Sequence, residues 1–304
     1  MPSTSPPIGR PARIVSLSFN GKTLDEVCRT VDEEAAKGCD LIVLPEIWSG
    51  DGVEALDGPS IRAMSALAAK HSTYLSCPIY RLDAERRFNT AVLIDRKGAI
   101  AGMYDKAYPY WDEFNLKPAC EVGRTVPVFE TDFGKVGLAT CFDANFPPVW
   151  EALAQQGAEL VVWSSAYSAG ISLQAHAINY QYYILSSTLT RDCLVYDITG
   201  VLLLDKSSPD MNVARITLDL DRCIFHQNFN WEKKDKLLKE HADDIFIEKW
   251  MEREQWYVIR ARRPGVSARE LTRQYGMEDL RSYKLRSLRE IDQMRGSREL
   301  VANR

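Results

Sequence analysis

Long apolar runs are missing from this sequence. No stretch of its 304 residues approaches the roughly 20 that span a bilayer, so no membrane partner is expected. An excess of basic charge is missing too. The formal net charge of −4 gives no general electrostatic reason to expect nucleic acid or an anionic surface as partner. The opening Met1-Pro2-Ser3-Thr4-Ser5-Pro6-Pro7 lacks the basic-then-apolar order of a signal peptide, which makes a cytoplasmic location the expectation. Cysteine is present without pattern: the seven thiols (28, 39, 77, 120, 141, 193, 223) include no CxxC pair. Neither a disulfide framework nor a structural zinc site is therefore expected. Histidine is scarce. His71, His176, His226 and His241 sit in no context that suggests a Cys–His hydrolase, and His176 reads as structural or as part of a pocket rim.

What is present is an alternation of short apolar runs with amphipathic segments. Residues 1–11, rich in Pro and Ser, read as a flexible arm. A strand is expected over 12–19 and a helix over 23–37, with Gly38 as its stop. The run Leu41-Ile42-Val43-Leu44 then completes a β-α-β unit. A helix over 60–71 and a strand over 73–80 follow. Apolar runs at 88–94 and 99–104 flank the turn Asp95-Arg96-Lys97-Gly98, and a further hairpin joins 127–130 to 135–140. The second half repeats the order: strand 136–140, helix 146–156, strand 160–163, helix 172–183, strand 184–190. A hairpin (193–196 with 201–204) and a strand at 213–218 close it. This pattern predicts a layered α/β fold with a mixed sheet. From about Asp221 the composition turns charged and aromatic, with helices expected up to Gly276 and over 279–295. Ser267 and Glu270 read as a capping box. Residues 221–304 are accordingly expected to form a C-terminal helical extension that packs on a neighbouring subunit. A faint helix-turn-helix pattern over 267–281 lacks the basic domain that DNA binding requires.

Several residues stand out against this framework. Val136 to Thr140 reads as a buried strand ending in Cys141, and the residues after Pro147 read as a helix. A thiol at such a turn faces backbone N–H groups, which predicts a lowered pKa and a nucleophilic thiolate. Glu46 directly follows a continuous apolar strand, where a carboxylate needs a partner. Lys106 and Glu113 share a long loop crowded with Tyr108, Tyr110, Trp111 and Phe114, and long ordered loops tend to be functional. Ser164 and Ser165 fall in the second half where Pro45 and Glu46 fall in the first. Ligands in α/β sheets bind at such strand ends.

These residues, each in its own local sequence, resemble the nitrilase (carbon–nitrogen hydrolase) superfamily over roughly residues 12–220. The resemblance rests on Leu44-Pro45-Glu46 after a strand, Tyr104-Asp105-Lys106 after a hairpin, and Gly137-Leu138-Ala139-Thr140-Cys141-Phe142-Asp143 with Phe146-Pro147. Glu113, seven positions after Lys106, matches the spacing of the family's additional glutamate. The resemblance implies a four-layer α-β-β-α sandwich with mixed sheets whose subunits pair as a homo-oligomer, dimer or higher. It implies hydrolysis with no metal and no cofactor. The catalytic set would be Glu46, Lys106, Glu113 and Cys141. Cys141 would attack the carbon, Glu46 would take and return protons, and Lys106 with the Phe142 N–H would hold the oxyanion. Glu113 would orient Lys106 or the substrate amine.

The residues after the cysteine, Asp143-Ala144-Asn145, resemble amidase or carbamoyl-hydrolase branches more than the nitrile branch. The expected substrate is a small amide or N-carbamoyl compound, contacted by Tyr108, Trp111, Phe142, Asp143, Ser164, Ser165 and Tyr167. The alternatives are a nitrilase that forms acid plus ammonia, and a catalytically idle relative that acts as a scaffold.

Overall fold

The first strand, β1 (Pro11–Ser18), enters a core made by alternation of apolar and small side chains. The computed structural model describes residues 7–296; residues 1–6 of the expected arm and 297–304 of the expected extension lie outside them. Helix α1 (Leu24–Ala35) starts at Thr23, whose side chain accepts from the Glu26 N–H while Glu26 reaches back to the Thr23 backbone, a reciprocal cap. Then follow β2 (Leu41–Val43), β3 (Val53–Glu54), α2 (Pro59–His71), β4 (Tyr74–Asp83), β5 (Arg86–Ile94) and β6 (Ile100–Asp105). The second half runs β7 (Val128–Glu130), β8 (Lys135–Thr140), α3 (Pro147–Gln155), β9 (Leu160–Ser165), α4 (Ile171–Tyr180), β10 (Tyr183–Thr188), β11 (Asp192–Tyr196), β12 (Leu202–Ser207) and β13 (Asn212–Asp219).

Two mixed sheets result. One has the order β13-β1-β2-β4-β5-β6, with β3 beside β4, and the other the order β12-β11-β10-β9-β8-β7. In each, three parallel strands joined through helices are followed by two antiparallel hairpin strands. An antiparallel strand closes the other edge, β13 on β1 and β7 on β8. The repeat read from sequence is therefore a repeat of topology.

Each sheet buries one face under its own helices. Val27 and Val31 of α1 and Ile61 and Met64 of α2 pack on Val15, Ile42 and Leu75. Trp150 and Leu153 of α3 and Leu173 and Ala177 of α4 pack on Val161, Trp163 and Ile184. The other faces meet through small polar residues. Ser16 Oγ donates to Ser186 O (2.8 Å), Ser187 Oγ to Leu17 O (2.7 Å), and Thr188 N to Ser18 Oγ (3.0 Å). Burial on both faces explains why these strands read as continuous apolar runs rather than as alternating ones. The sandwich is α-β-β-α, as expected.

Contacts divide the chain into two units, one of which is Pro11–Leu220. The other, comprising residues 7–10 and 221–296 among those described, differs from a purely helical extension. Beside α5 (Trp231–Glu240), α6 (Ala268–Gln274) and α7 (Leu280–Arg295) it holds β14 (Cys223–His226), β15 (Ile245–Met251) and β16 (Trp256–Ala261), paired in the order β14-β16-β15. The runs Ile245-Phe246-Ile247 and Trp256-Tyr257-Val258-Ile259 are β-branched and aromatic. The surrounding charge hides them. Leu237 of α5, Phe225, Tyr257, Ile259 and Met277 form the core of this unit. Trp231, Trp250 and Tyr257 surround the Lys234 ammonium with ring centroids at 4.3, 5.4 and 5.7 Å, which accounts for much of the segment's aromatic content. Among the described residues, no helix is long and apolar enough to cross a membrane.

Candidate active site

The strand ends of the two sheets meet at one place. Leu44 still pairs with β4 through its N–H to Ser76 O, and Pro45 ends that pairing. The chain then turns through Ile47 at φ 41°, a left-handed conformation that is costly for a β-branched residue. Glu46, 2 % exposed, is thereby aimed into the sandwich. Its counterpart in the repeat, the end of β9, receives it. The Ala166 N–H donates to Glu46 Oε2 (2.8 Å), and Ser164 Oγ donates to Leu44 O (2.8 Å).

Lys106 continues the β5–β6 ladder by one residue, its N–H donating to Asn89 O (2.8 Å). Its carbonyl accepts from the Gly123 N–H (2.9 Å). That approach requires glycine, since a Cβ at 123 would lie 1.9 Å from Asp105 O. The Lys106 ammonium donates to Glu46 Oε1 (2.9 Å) and to Glu113 Oε2 (2.6 Å). Glu113 lies in a short 3-10 turn, Trp111–Asn115, and its Oε2 also accepts from the Tyr110 N–H (2.6 Å). Asn89 Nδ2 bridges both carboxylates, donating to Glu46 Oε1 (2.7 Å) and Glu113 Oε1 (2.8 Å). Burial alone would push the Lys106 pKa down. The charge of Glu46, with the charge and hydrogen bond of Glu113, outweighs it and holds the pKa above the ordinary lysine value. A buried ammonium between two carboxylates stays charged.

Cys141 caps β8 at φ 47° and opens a 3-10 turn, Cys141–Asn145, before α3. The carbonyls of this turn are held one by one. Trp163 Nε1 donates to Cys141 O (3.0 Å), Asn145 Nδ2 to Phe142 O (3.1 Å) and Trp150 Nε1 to Asp143 O (2.9 Å). His176 Nε2 lies 2.9 Å from Ala144 O, and its ring stacks on Trp150 at 4.2 Å. Burial lowers the pKa of this histidine, so a neutral imidazole donates through Nε2 and its role is structural, one of the two sequence expectations. Asp143 fixes the turn from the other side. Its carboxylate accepts from Tyr104 Oη (2.7 Å), the Thr140 N–H (2.8 Å) and the Tyr108 N–H (3.0 Å), although burial pushes its pKa up to about 7.

The Cys141 thiol, 7 % exposed, is buried where the Glu46 carboxylate and the Ala166 N–H both act on it. Here the structure corrects the expected thiolate. Burial first, and then the Glu46 charge, push the thiol pKa up to about 12, against the smaller effects of Lys106 and the Ala166 N–H. The resting group is a neutral thiol beside a carboxylate.

Glu46, Lys106 and Glu113 thus meet in one hydrogen-bonded cluster whose charges act on the buried Cys141 thiol, whereas the expected substrate contacts divide. Asp143, Ser164 and Ser165 are buried and engaged in the framework, Ser165 Oγ accepting from the Tyr167 N–H (3.0 Å). Their polar atoms position the site. Tyr108 stacks on Phe146 at 3.9 Å, Phe142 meets Tyr110 and Phe146 edge-on, and Tyr167 meets Trp163 edge-on. These rings form an aromatic surround. Trp111 is 67 % exposed and joins no such contact among the described residues. Sequence reasoning missed Asn89, Tyr104 and Trp163. The signal for Asn89 was an amide inside the strand Phe88-Asn89-Thr90-Ala91-Val92, where a buried polar group needs partners.

Comparison with known proteins gives the same reading of the chain. A model of the carbon–nitrogen hydrolase family matches residues 18–225. The omega-amidase NIT2 of Mus musculus is 25 % identical over 197 residues, which is 58 % of this chain and 71 % of that protein. The beta-ureidopropionase of Arabidopsis thaliana is 31 % identical over 159 residues, 47 % of this chain, and the match spans only 39 % of that relative's length. A mutant of the Nesterenkonia AN1 amidase, described as from the nitrilase superfamily, superposes with a TM-score of 0.62 at 18 % identity. That match covers 78 % of this chain and 99 % of the other; it is a likeness of fold.

Proposed function

This chain belongs to the carbon–nitrogen hydrolase family, and from that membership we propose that it hydrolyses a small amide or N-carbamoyl compound through a thioester on Cys141. The observation that carries the reading is one buried thiol under the influence of one buried carboxylate, itself held by an ammonium and an amide. In the first step Glu46 takes the thiol proton as sulfur attacks the carbonyl carbon, so no free thiolate has to accumulate at the raised pKa. The oxyanion forms beside the Lys106 ammonium and the Phe142 N–H. The latter belongs to the first residues of a helical turn, whose N–H groups have no carbonyl within the turn. Glu46 then protonates the departing amine, and the C–N bond breaks. Water, losing its proton to Glu46, hydrolyses the thioester and returns the thiol. Glu113 and Asn89 hold Lys106 and Glu46 in register throughout.

The names of two relatives, an omega-amidase and a beta-ureidopropionase, support amide and N-carbamoyl substrates. The test is ammonia release from separate pools of small amides, N-carbamoyl compounds and nitriles, with intact-mass detection of an acyl adduct. Release from the amide or carbamoyl pool alone is expected. Release from nitriles alone would replace this reading by the nitrilase one, and silence with no adduct in any pool would refute hydrolysis.

Lys106→Met is expected to lower kcat/KM by about 10²–10³, as for a lost oxyanion donor. It also leaves two buried carboxylates without their cation, at a cost of about 3–5 kcal/mol in stability, so melting is measured alongside. A loss of turnover below about tenfold would refute the oxyanion role.

A further inference from the structure

One buried cation in the hydrolase unit has no anion. Arg87 is 7 % exposed, yet among the described residues no carboxylate pairs with its guanidinium and no acceptor takes a hydrogen bond from it. Its Nε is fully buried and unpartnered. Other arginines of this unit are paired: Arg13 with Asp40, Arg81 with Asp105, Arg96 with Asp40 and Asp132, and Arg215 with Glu34. An uncompensated buried guanidinium is strongly unfavourable, and such a group is retained where something anionic meets it.

The position of Arg87 says where that anion comes. It precedes Asn89 by two residues on β5, so both side chains leave the same face of the sheet. Asn89 bridges Glu46 and Glu113. Opposite Asn89 in the β4–β5 ladder stands Tyr80, and the Arg87 guanidinium lies over the Tyr80 ring at 5.1 Å. Burial and the charges of Glu113 and Glu46 raise the Tyr80 pKa, and the cross-strand partner of Tyr80, Asn89, is bonded to both of those carboxylates. The backbone beneath is fixed, with the Glu121 N–H donating to Arg87 O (2.8 Å). Arg87 is thus a rigidly mounted, unpaired guanidinium on the face of the sheet that bears the catalytic carboxylates.

Resting on the hydrolase reading above, we propose that Arg87 is a carboxylate subsite and that the substrate is an amide or N-carbamoyl compound carrying a second, anionic carboxylate. A guanidinium presents parallel N–H groups that match a carboxylate in a planar fork. A single cation with Glu46 and Glu113 nearby suits a monoanion and disfavours a doubly charged phosphate. The competing role is a long-range counterweight, because two carboxylates against Lys106 leave one negative charge in the cluster.

The test compares half-amides of dicarboxylic acids (malonamate, succinamate, glutaramate) with the neutral diamides of the same lengths. The full-length wild type is measured beside Arg87→Met and Arg87→Lys. In the wild type the best half-amide is expected to exceed its diamide in kcat/KM by about ten- to a hundredfold, the worth of a hydrogen bond to a charged group. In Arg87→Met that ratio falls toward one, chiefly through KM, and Arg87→Lys keeps part of it. An unchanged ratio, with both substrates slowed alike, would make Arg87 a counterweight and overturn the subsite. A second readout needs no turnover: protection of Cys141 from iodoacetamide by succinate or glutarate, followed by intact mass. Protection in the wild type that is lost in Arg87→Met supports the subsite even if no amide is hydrolysed, in which case only the hydrolase reading fails. No protection by any dicarboxylate in the wild type would overturn it. If Arg87→Met does not fold, as judged by melting, Arg87→Lys decides: a ratio and protection that are reduced support the subsite, and values equal to the wild type's overturn the planar fork.

Discussion

Cys141→Ala is expected to reduce ammonia release to the uncatalysed background while the protein still melts cooperatively near the wild-type temperature. The supports of the turn explain why the two effects separate. Its carbonyls are held by Trp163, Asn145, Trp150 and His176 and its approach by Asp143, and none of these bonds involves sulfur. Alanine keeps the Cβ, so the strain at φ 47° is unchanged. Only one small buried group is lost, worth about 1 kcal/mol. Retention of about a tenth or more of the wild-type rate would remove Cys141 from the nucleophile's role. The raised thiol pKa of about 12 adds a pH signature. The thiol form is the more protonated one, so the thiolate fraction stays small and climbs with every step of pH from 7 to 10. Iodoacetamide labelling of the wild type is expected to rise across that whole range. A plateau beginning near the ordinary cysteine value of about 8.5 would show that Glu46 and burial do not govern the sulfur.

Much of this arrangement is legible in the sequence because the local signals agree with the tertiary ones. Runs such as Leu41-Ile42-Val43-Leu44 and Leu160-Val161-Val162-Trp163 are apolar on both faces, and both faces are in fact covered. Thr23 and Glu26 mark a helix start by chemistry that acts within one turn. Glu46, Lys106 and Cys141 were each visible as a polar residue where an element ends, and Glu113 by its spacing from Lys106 in a long loop, although nothing local says that they meet. What the sequence hides is solvent exclusion. The N–H groups around Cys141 argued for a thiolate, but burial and the Glu46 charge come from residues far along the chain, and they dominate. The sequence is equally blind to what holds Ser164 and Asp143. Their partners, Leu44 O and Tyr104 Oη, lie in the other half of the repeat. In residues 221–296 the failure was of another kind. Charged residues dilute the β-forming runs at 245–251 and 256–261, and only the pairing of β15 with β16 reveals their period.

Glu46→Gln carries the second large effect. In the proposed reaction this one carboxylate takes the thiol proton, delivers a proton to the leaving amine and then accepts one from water. A general acid–base group contributes about 10²–10⁴ in rate, and an amide can do none of the three transfers. The expected fall in kcat/KM is about 10³. Glutamine also fits the cluster badly. Glu46 accepts at both oxygens, from Lys106 and Asn89 at Oε1 and from the Ala166 N–H at Oε2. In either orientation the amide must turn its NH2 toward a donor, leaving buried donors unmatched at about 1–3 kcal/mol. A modest drop in melting temperature should therefore accompany the loss of rate. The two are separated by working well below the melting transition, where the folded fraction of the variant is unaffected. Under those conditions turnover within about tenfold of the wild type would assign the proton transfers to another group. The neighbouring carboxylate, Glu113, is the one to test next, because it shares Lys106 and Asn89 with Glu46 but is not among the largest influences on the Cys141 thiol. Of the two carboxylates, Glu46 acts more strongly on the sulfur while also holding the ammonium, and the proposed division of labour requires its loss to cost more than the loss of Glu113.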